Sequence, residues 1–425
     1  FLEDNKFIII FFSFFITRYL FNLILGHDHF ELHNDSYWYN VQSNEILKGN
    51  FNLERLLFIP TPFFQYFQAF IKLISGGTKL IIPTLFPGVF WQTILYTLQL
   101  LISSIAGIFF YKLSFLIFKN KRISILSTFI FCFYPFTLWW TGSFAQAIWF
   151  QSFLIIFLYY FIYFLQTKKT SILIKSAIIF SFTFLTKSHI LLFALFIPLI
   201  IFFYCRYDYI NKIKHIVIFT SISLLFTLPY GLYNLKVNNV YTLSSAGLGG
   251  MFLLGHNEDA YLNHINTPDP NSKEGSRLNF LDYKIYEQLE QSLNVKDFKL
   301  KQKIQFNAGL DWIKKNKEKN LELFFYNVKR FFMPGLHKTW YSFHLWITSM
   351  VITVPIYALA YLGISYNFIK KPREHSWIVF LIFSLFLFST VFYFQGRFRT
   401  ITLEPFYILY ASFMLHNLIE KFLKK

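Results

Sequence analysis

The run His27-Asp28-His29-Phe30-Glu31-Leu32-His33-Asn34-Asp35-Ser36-Tyr37-Trp38-Tyr39 is the densest concentration of acids, bases and aromatic rings in this chain. Asp35, followed by Tyr39 and then Gly49, has the chemistry of a general base: a carboxylate beside rings that restrict water can take the proton of an attacking hydroxyl. The plainer role is a helix cap, with Asn34 or Asp35 closing a helix that runs through Ile46. The histidines and acids also admit a divalent ion, since imidazole and carboxylate are ordinary ligands. Loop spacing of this kind dictates no particular metal geometry, so no metal or other cofactor is expected, and an ion on Asp28, Glu31 and Asp35 is the alternative.

Three cations can complement that base. Lys187, Arg397 and Arg399 each lie at the edge of an apolar stretch; arginine presents a planar fork that suits phosphate and lysine adds a point charge. Snorkelling to lipid headgroups is the alternative for each. A third candidate element is the run 244–257, where Gly249 and Gly250 would let backbone amides approach a polar ligand and Asn257 would bind it, unless the glycines serve only a tight turn. It lacks the Gly-Lys-Ser/Thr ending of a nucleotide loop.

The elements that must position these groups are membrane helices. Mean hydropathy is +0.43, and 55% of residues are hydrophobic against 15% charged, with 59 Phe. Continuous apolar runs such as 152–165 and 377–394 exclude both a soluble domain and a transmembrane barrel of alternating strands. The fold class is all-α and polytopic. Windows of membrane length place about ten spans, at 7–25, 91–118, 123–140, 145–165, 171–186, 189–204, 216–233, 343–366, 377–394 and 401–418. The chain opens on Phe1 without an initiator Met, so a short upstream segment is expected, and 7–25 reads as a retained anchor. Residues 55–75 are apolar but interrupted by Pro60 and Pro62, and read as a re-entrant or interfacial helix.

The net charge of +18 is spread over short connectors instead of one patch, which argues against a nucleic-acid partner. Connectors after even-numbered spans are basic (119–122, 168–169, 206–214, 370–373 and 421–425), which makes their face cytoplasmic, with both termini on it. The acidic run, Lys187 and both arginines then share the outer face. Three regions follow: 1–233 with the first outer loop at 26–90, an outer segment at 234–341 with helical patterns over 306–315 and 320–332, and the closing helices at 342–425. Cys132 and Cys205 are too few and badly placed for a disulfide framework.

Several segments, in order, resemble GT-C fold glycosyltransferases that use polyprenyl-phosphate sugars, nearest the branch of protein O-mannosyltransferases and the aminoarabinose transferase of lipid A. They are Asp35, Tyr39 and Gly49; Pro60-Thr61-Pro62; Phe184-Leu185-Thr186-Lys187; Leu228-Pro229-Tyr230-Gly231-Leu232-Tyr233-Asn234; Ser244 to Asn257; and Gly396-Arg397-Phe398-Arg399 ahead of Glu404-Pro405. Three departures stand beside them: Gln146 where relatives often carry an acid, Asn234 after Tyr233 instead of Arg, and Ser36 instead of Glu.

The resemblance implies an inverting sugar transfer from a polyprenyl-phosphate donor to a glycan, glycolipid such as lipid A, or protein acceptor at the outer face of the cytoplasmic membrane. Asp35 would be the base, Lys187, Arg397 and Arg399 would hold the donor phosphate, and Tyr39, Gly249, Gly250 and Asn257 would bind substrate, with membrane lipids as surroundings. Two rivals remain. A surface-polysaccharide polymerase or ligase should place several arginines in the large outer segment, where only Arg277 and Arg330 occur. A lipid-sugar flippase or transporter should show repeated halves and mid-membrane charges, of which only Arg18 is present.

Overall fold

The computed structural model describes residues 5–25, 35–54, 58–76, 90–204, 209–265, 295, 297–336, 341–392 and 396–423. These form an all-α protein. In chain order the helices are α1 (Lys6–Leu25), α2 (Asp35–Leu47), α3 (Phe63–Ile74), α4 (Phe90–Phe118), α5 (Lys121–Cys132), α6 (Pro135–Gly142), α7 (Ala147–Thr167), α8 (Thr170–Thr186) and α9 (Leu191–Tyr204). They continue as α10 (Tyr209–Asn238), α11 (Leu248–Gly255), α12 (Glu258–Ile265), α13 (Phe298–Lys315), α14 (Lys317–Phe332), α15 (Phe343–Lys370), α16 (Pro372–Val391), α17 (Gly396–Thr402) and α18 (Glu404–Leu423).

Six of these are long and apolar enough to cross a membrane: α1, α4, α7, α10, α15 and α16. A seventh is counted if α5 and α6, bent by 51° at their junction, form one span. Pro135 explains that break, because it has no N–H to donate and cannot continue α5, yet suits the first turn of α6. Two more of the ten expected spans fall on the shorter apolar stretches Thr170–Thr186 and Ser188–Tyr204, and the last on α18. Twelve residues long, α3 rises only about 18 Å, well short of a hydrocarbon core of about 30 Å.

The bundle has two chemically different poles. At one, Lys119 donates to Gln166 at 2.9 Å, Asn120 meets His416 at 3.3 Å and Arg122 lies 3.9 Å from Glu420, which gathers the basic ends of α4, α5, α7 and α18. The other pole carries the start of α18, the end of α8 and helices α11 to α14. Between them, α18 is buried continuously from Glu404 to Ser412 and packs with α15 and α5 in the main core.

Candidate functional site

Asp35 is the first residue of α2, a helix that stops where Gly49 takes a positive φ of 88° and the amides of Lys48 and Gly49 fold back on Glu45 and Ile46. Its carboxylate pairs with the guanidinium of Arg397 on α17, and both side chains are about one-third exposed, at 35% and 31%.

Lys187 ends α8 in extended backbone and is buried, with its ammonium 5.1 Å from the centre of the Phe398 ring. Burial, reinforced by Arg397 and partly offset by Asp35, pulls the Lys187 amine down to about 7. The mutual influence puts the three charges in one electrostatic neighbourhood. Among the described residues no side chain or carbonyl accepts a hydrogen bond from Lys187 Nζ.

Small polar side chains fix the turn that carries Lys187. Thr61 Oγ1 lies 2.8 Å from the Thr186 carbonyl and 2.9 Å from Gln146 Oε1, and Ser244 Oγ donates to the Phe184 carbonyl at 2.7 Å. Ser188 and Ser245 join through their hydroxyls, while Ile59 and Ala246 exchange backbone hydrogen bonds in an isolated antiparallel bridge. Tyr230 donates to the Pro60 carbonyl at 3.1 Å. Across the turn, His189 bonds Thr402 at 2.9 Å and stacks on Phe398, tying α17 to the same wall. Segments 58–62, 184–189, 244–246 and 396–402 therefore enclose one place.

Arg399 goes elsewhere. Arg397 and Arg399 are two positions apart on a helix, a separation of about 200°, so their side chains leave opposite faces of α17. The Arg399 Nη1 donates to the carbonyls of Arg330, Phe331 and Met333, and Nη2 to that of Gly335.

The substrate candidates on 244–257 also have structural partners. A Cβ on Gly249 would lie 2.0 Å from the Gln302 carbonyl oxygen, so the glycine lets α11 and α13 approach closely. Gly250 N–H donates to Gln302 Oε1 at 3.1 Å, and Asn257 caps α12 by accepting from the Ala260 amide at 2.7 Å. Tyr39, one turn after Asp35, is buried edge-on against Phe64 at 5.2 Å.

A fourth group, which the sequence reading did not single out, fixes α2. Lys72 on α3 is fully buried, and its Nζ donates to Asn40 Oδ1, Ser43 Oγ and Asn44 Oδ1 at 2.6, 2.6 and 2.7 Å, beneath the Trp91 ring. Burial lowers its amine to about 7 as well.

Asp28, Glu31 and the three histidines of the acidic run lie outside the described residues, as do Arg277 and Cys205. Among the described residues no three His, Cys, Asp or Glu side chains cluster as a metal site.

No family model and no curated protein matches the chain by sequence. Solved structures do. The Archaeoglobus fulgidus oligosaccharyltransferase, a GT-C fold protein, aligns in its apo form and in a form tethered through a disulfide bond to an acceptor peptide containing the NVT sequon. Both give a TM-score of 0.54 at 14% identity, over 99% of this chain. The fold is GT-C-like. The chain spans about half the length of those structures, 50% and 51% respectively. In this GT-C-like frame, apolar helices carry a polar pole where Asp35, Lys187 and Arg397 converge from α2, the end of α8 and α17.

Proposed function

We propose that this protein is a membrane glycosyltransferase that moves a sugar from a lipid-linked phosphate donor to a hydroxyl or amide acceptor. The observation that carries the reading is the convergence of a partly exposed carboxylate with two cations, one of them a buried ammonium.

Asp35 would take the acceptor proton as the acceptor atom bonds to the anomeric carbon. The bond from that carbon to the phosphate oxygen breaks, its electron pair leaves with the lipid phosphate, and configuration inverts. Arg397 and Lys187 offset the charge that develops on that oxygen. Before substrate binds, Arg397 is held by Asp35, which occupies the carboxylate. A donor phosphate that engages Arg397 relieves that restraint, so donor binding prepares the base for the acceptor.

With side chains in the base and cation roles, the reading needs no divalent ion, and exhaustive EDTA treatment should leave transfer intact. The excess of basic residues at the opposite pole supports a cytoplasmic location for that pole and an outer-face site in the cytoplasmic membrane. A polyprenyl-phosphate sugar suits the donor role, and a glycan, glycolipid or protein the acceptor role.

Comparing envelope glycans and glycolipids by mass spectrometry, with and without the protein, should reveal one missing sugar. Asp35→Asn should reproduce that loss at normal expression, with turnover reduced roughly a hundred- to ten-thousand-fold. Near-normal transfer by this variant would overturn the assignment of the base.

A further inference from the structure

Two arginines in one short helix have unlike surroundings. Arg399 is buried, with 3% exposure, and its fork is spread over four backbone carbonyls between Arg330 and Gly335, at and just beyond the end of α14. The last carbonyls of a helix have no partner within it and carry the negative end of its dipole, so a buried guanidinium satisfies and neutralises them together. The remaining edge faces Glu404, whose Oε1 lies 3.5 Å from Arg399 Nε. Glu404 in turn accepts from the hydroxyls of Tyr134 and Tyr357, each at 2.6 Å. A guanidinium buried this deeply is closed to a phosphate, yet it fastens α17 to α14, the start of α6, α15 and α18 at once.

We infer that Arg399 is a positioning residue: by hanging α17 from the carbonyl end of α14 and from Glu404, it sets where Arg397 presents its guanidinium to the donor phosphate. The inference rests on the reading of Arg397 as a phosphate-binding residue. Seven residues of helix transmit the constraint, and the two side chains on opposite faces make α17 a lever with an anchored side and a working side. Lysine at 399 would keep the charge but not the fork, since a single ammonium cannot span the same carbonyls in one plane.

A double-mutant cycle tests this, with undecaprenyl phosphate as the probe and the full chain in lipid nanodiscs. Arg397→Ala should weaken binding about tenfold or more, the value of a hydrogen bond to a charged group. Arg399→Lys should weaken it measurably alone, yet add nothing in the Arg397→Ala background, because it acts only through Arg397. If the two losses multiply, Arg399 acts independently and the inference is overturned while the role of Arg397 stands. Wild-type affinity in Arg399→Lys also overturns it. Unchanged binding in Arg397→Ala removes both the phosphate assignment and this inference. Should Arg399→Lys not be recovered folded, Glu404→Gln takes its place in the cycle, because it discharges the same clamp and leaves an acceptor for the tyrosines. The same outcomes then decide.

Discussion

Lys72 and Lys187 are both buried lysines near the pole that carries Asp35, and burial brings both amines down to about 7. Their surroundings differ in the one respect that separates scaffold from site. Lys72 has three side-chain oxygens for its three donors, all from one face of α2, so its hydrogen-bonding capacity is spent on holding that helix. Lys187 has an aromatic face and two neighbouring charges, one of each sign, with no hydrogen-bond acceptor among the described residues. Desolvation alone does not identify a functional group. What distinguishes the two lysines is whether the protein itself fills the vacancy that burial creates.

The largest expected effect separates them by activity. Lys187→Met should lower kcat/KM for sugar transfer about ten- to a hundredfold, as the loss of one charge-assisted contact to the leaving phosphate. The thermal midpoint should hold or rise, since an unpartnered buried cation is removed. Lys72→Met should do the reverse, costing about 1–3 kcal/mol for each oxygen left without its donor, read as a lower unfolding midpoint in detergent. Equal losses of stability in both variants would erase the contrast.

A smaller effect comes from pH. The free-site amine of Lys187 is protonated below about 7 and neutral above it, so kcat/KM should fall as pH rises through that value, about tenfold per unit where the ammonium is required. Lys187→Arg should flatten the alkaline limb, because a guanidinium at that position keeps its charge across this range. A profile that rises across this range in the wild type would break the assignment. The smallest effect concerns the exposed pair: Arg397→Ala should change folding stability by no more than about 1 kcal/mol, because a partly solvated ion pair contributes little. A large destabilisation would make Arg397 part of the scaffold, like Lys72.

The pairing of a loop carboxylate with distant cations was legible because Asp35 follows the first apolar run, Lys187 and Arg397 lie at the edges of later ones, and alternation of basic connectors put those places on one face. The two arginines were legible as a pair but not as opposites. The expected last span began at 401 and left the short helix α17 unassigned, so the half-turn between positions 397 and 399 was not counted. The glycines at 249 and 250 announced a close approach, but the sequence does not reveal that the approaching backbone is that of Gln302. Lys72 reads as an ordinary cation on an amphipathic helix, because its cage of Asn40, Ser43 and Asn44 belongs to another helix. Span number is legible only to the extent that helices are long. Pro135 divides one expected span, and α8 and α9, with 17 and 14 residues, fall short of the roughly 20 that cross a hydrocarbon core.

Asp35 and Arg397 lie 362 positions apart. A ribosome has therefore made nearly the whole described chain before the carboxylate meets its counter-charge, and α17 can take its place only once its helical neighbours are in the bilayer. Nascent and truncated forms that still contain the acid and the first cation would lack the second, and under the proposed mechanism would transfer no sugar. In this arrangement, formation of the Asp35–Arg397 pair doubles as an inspection of membrane assembly.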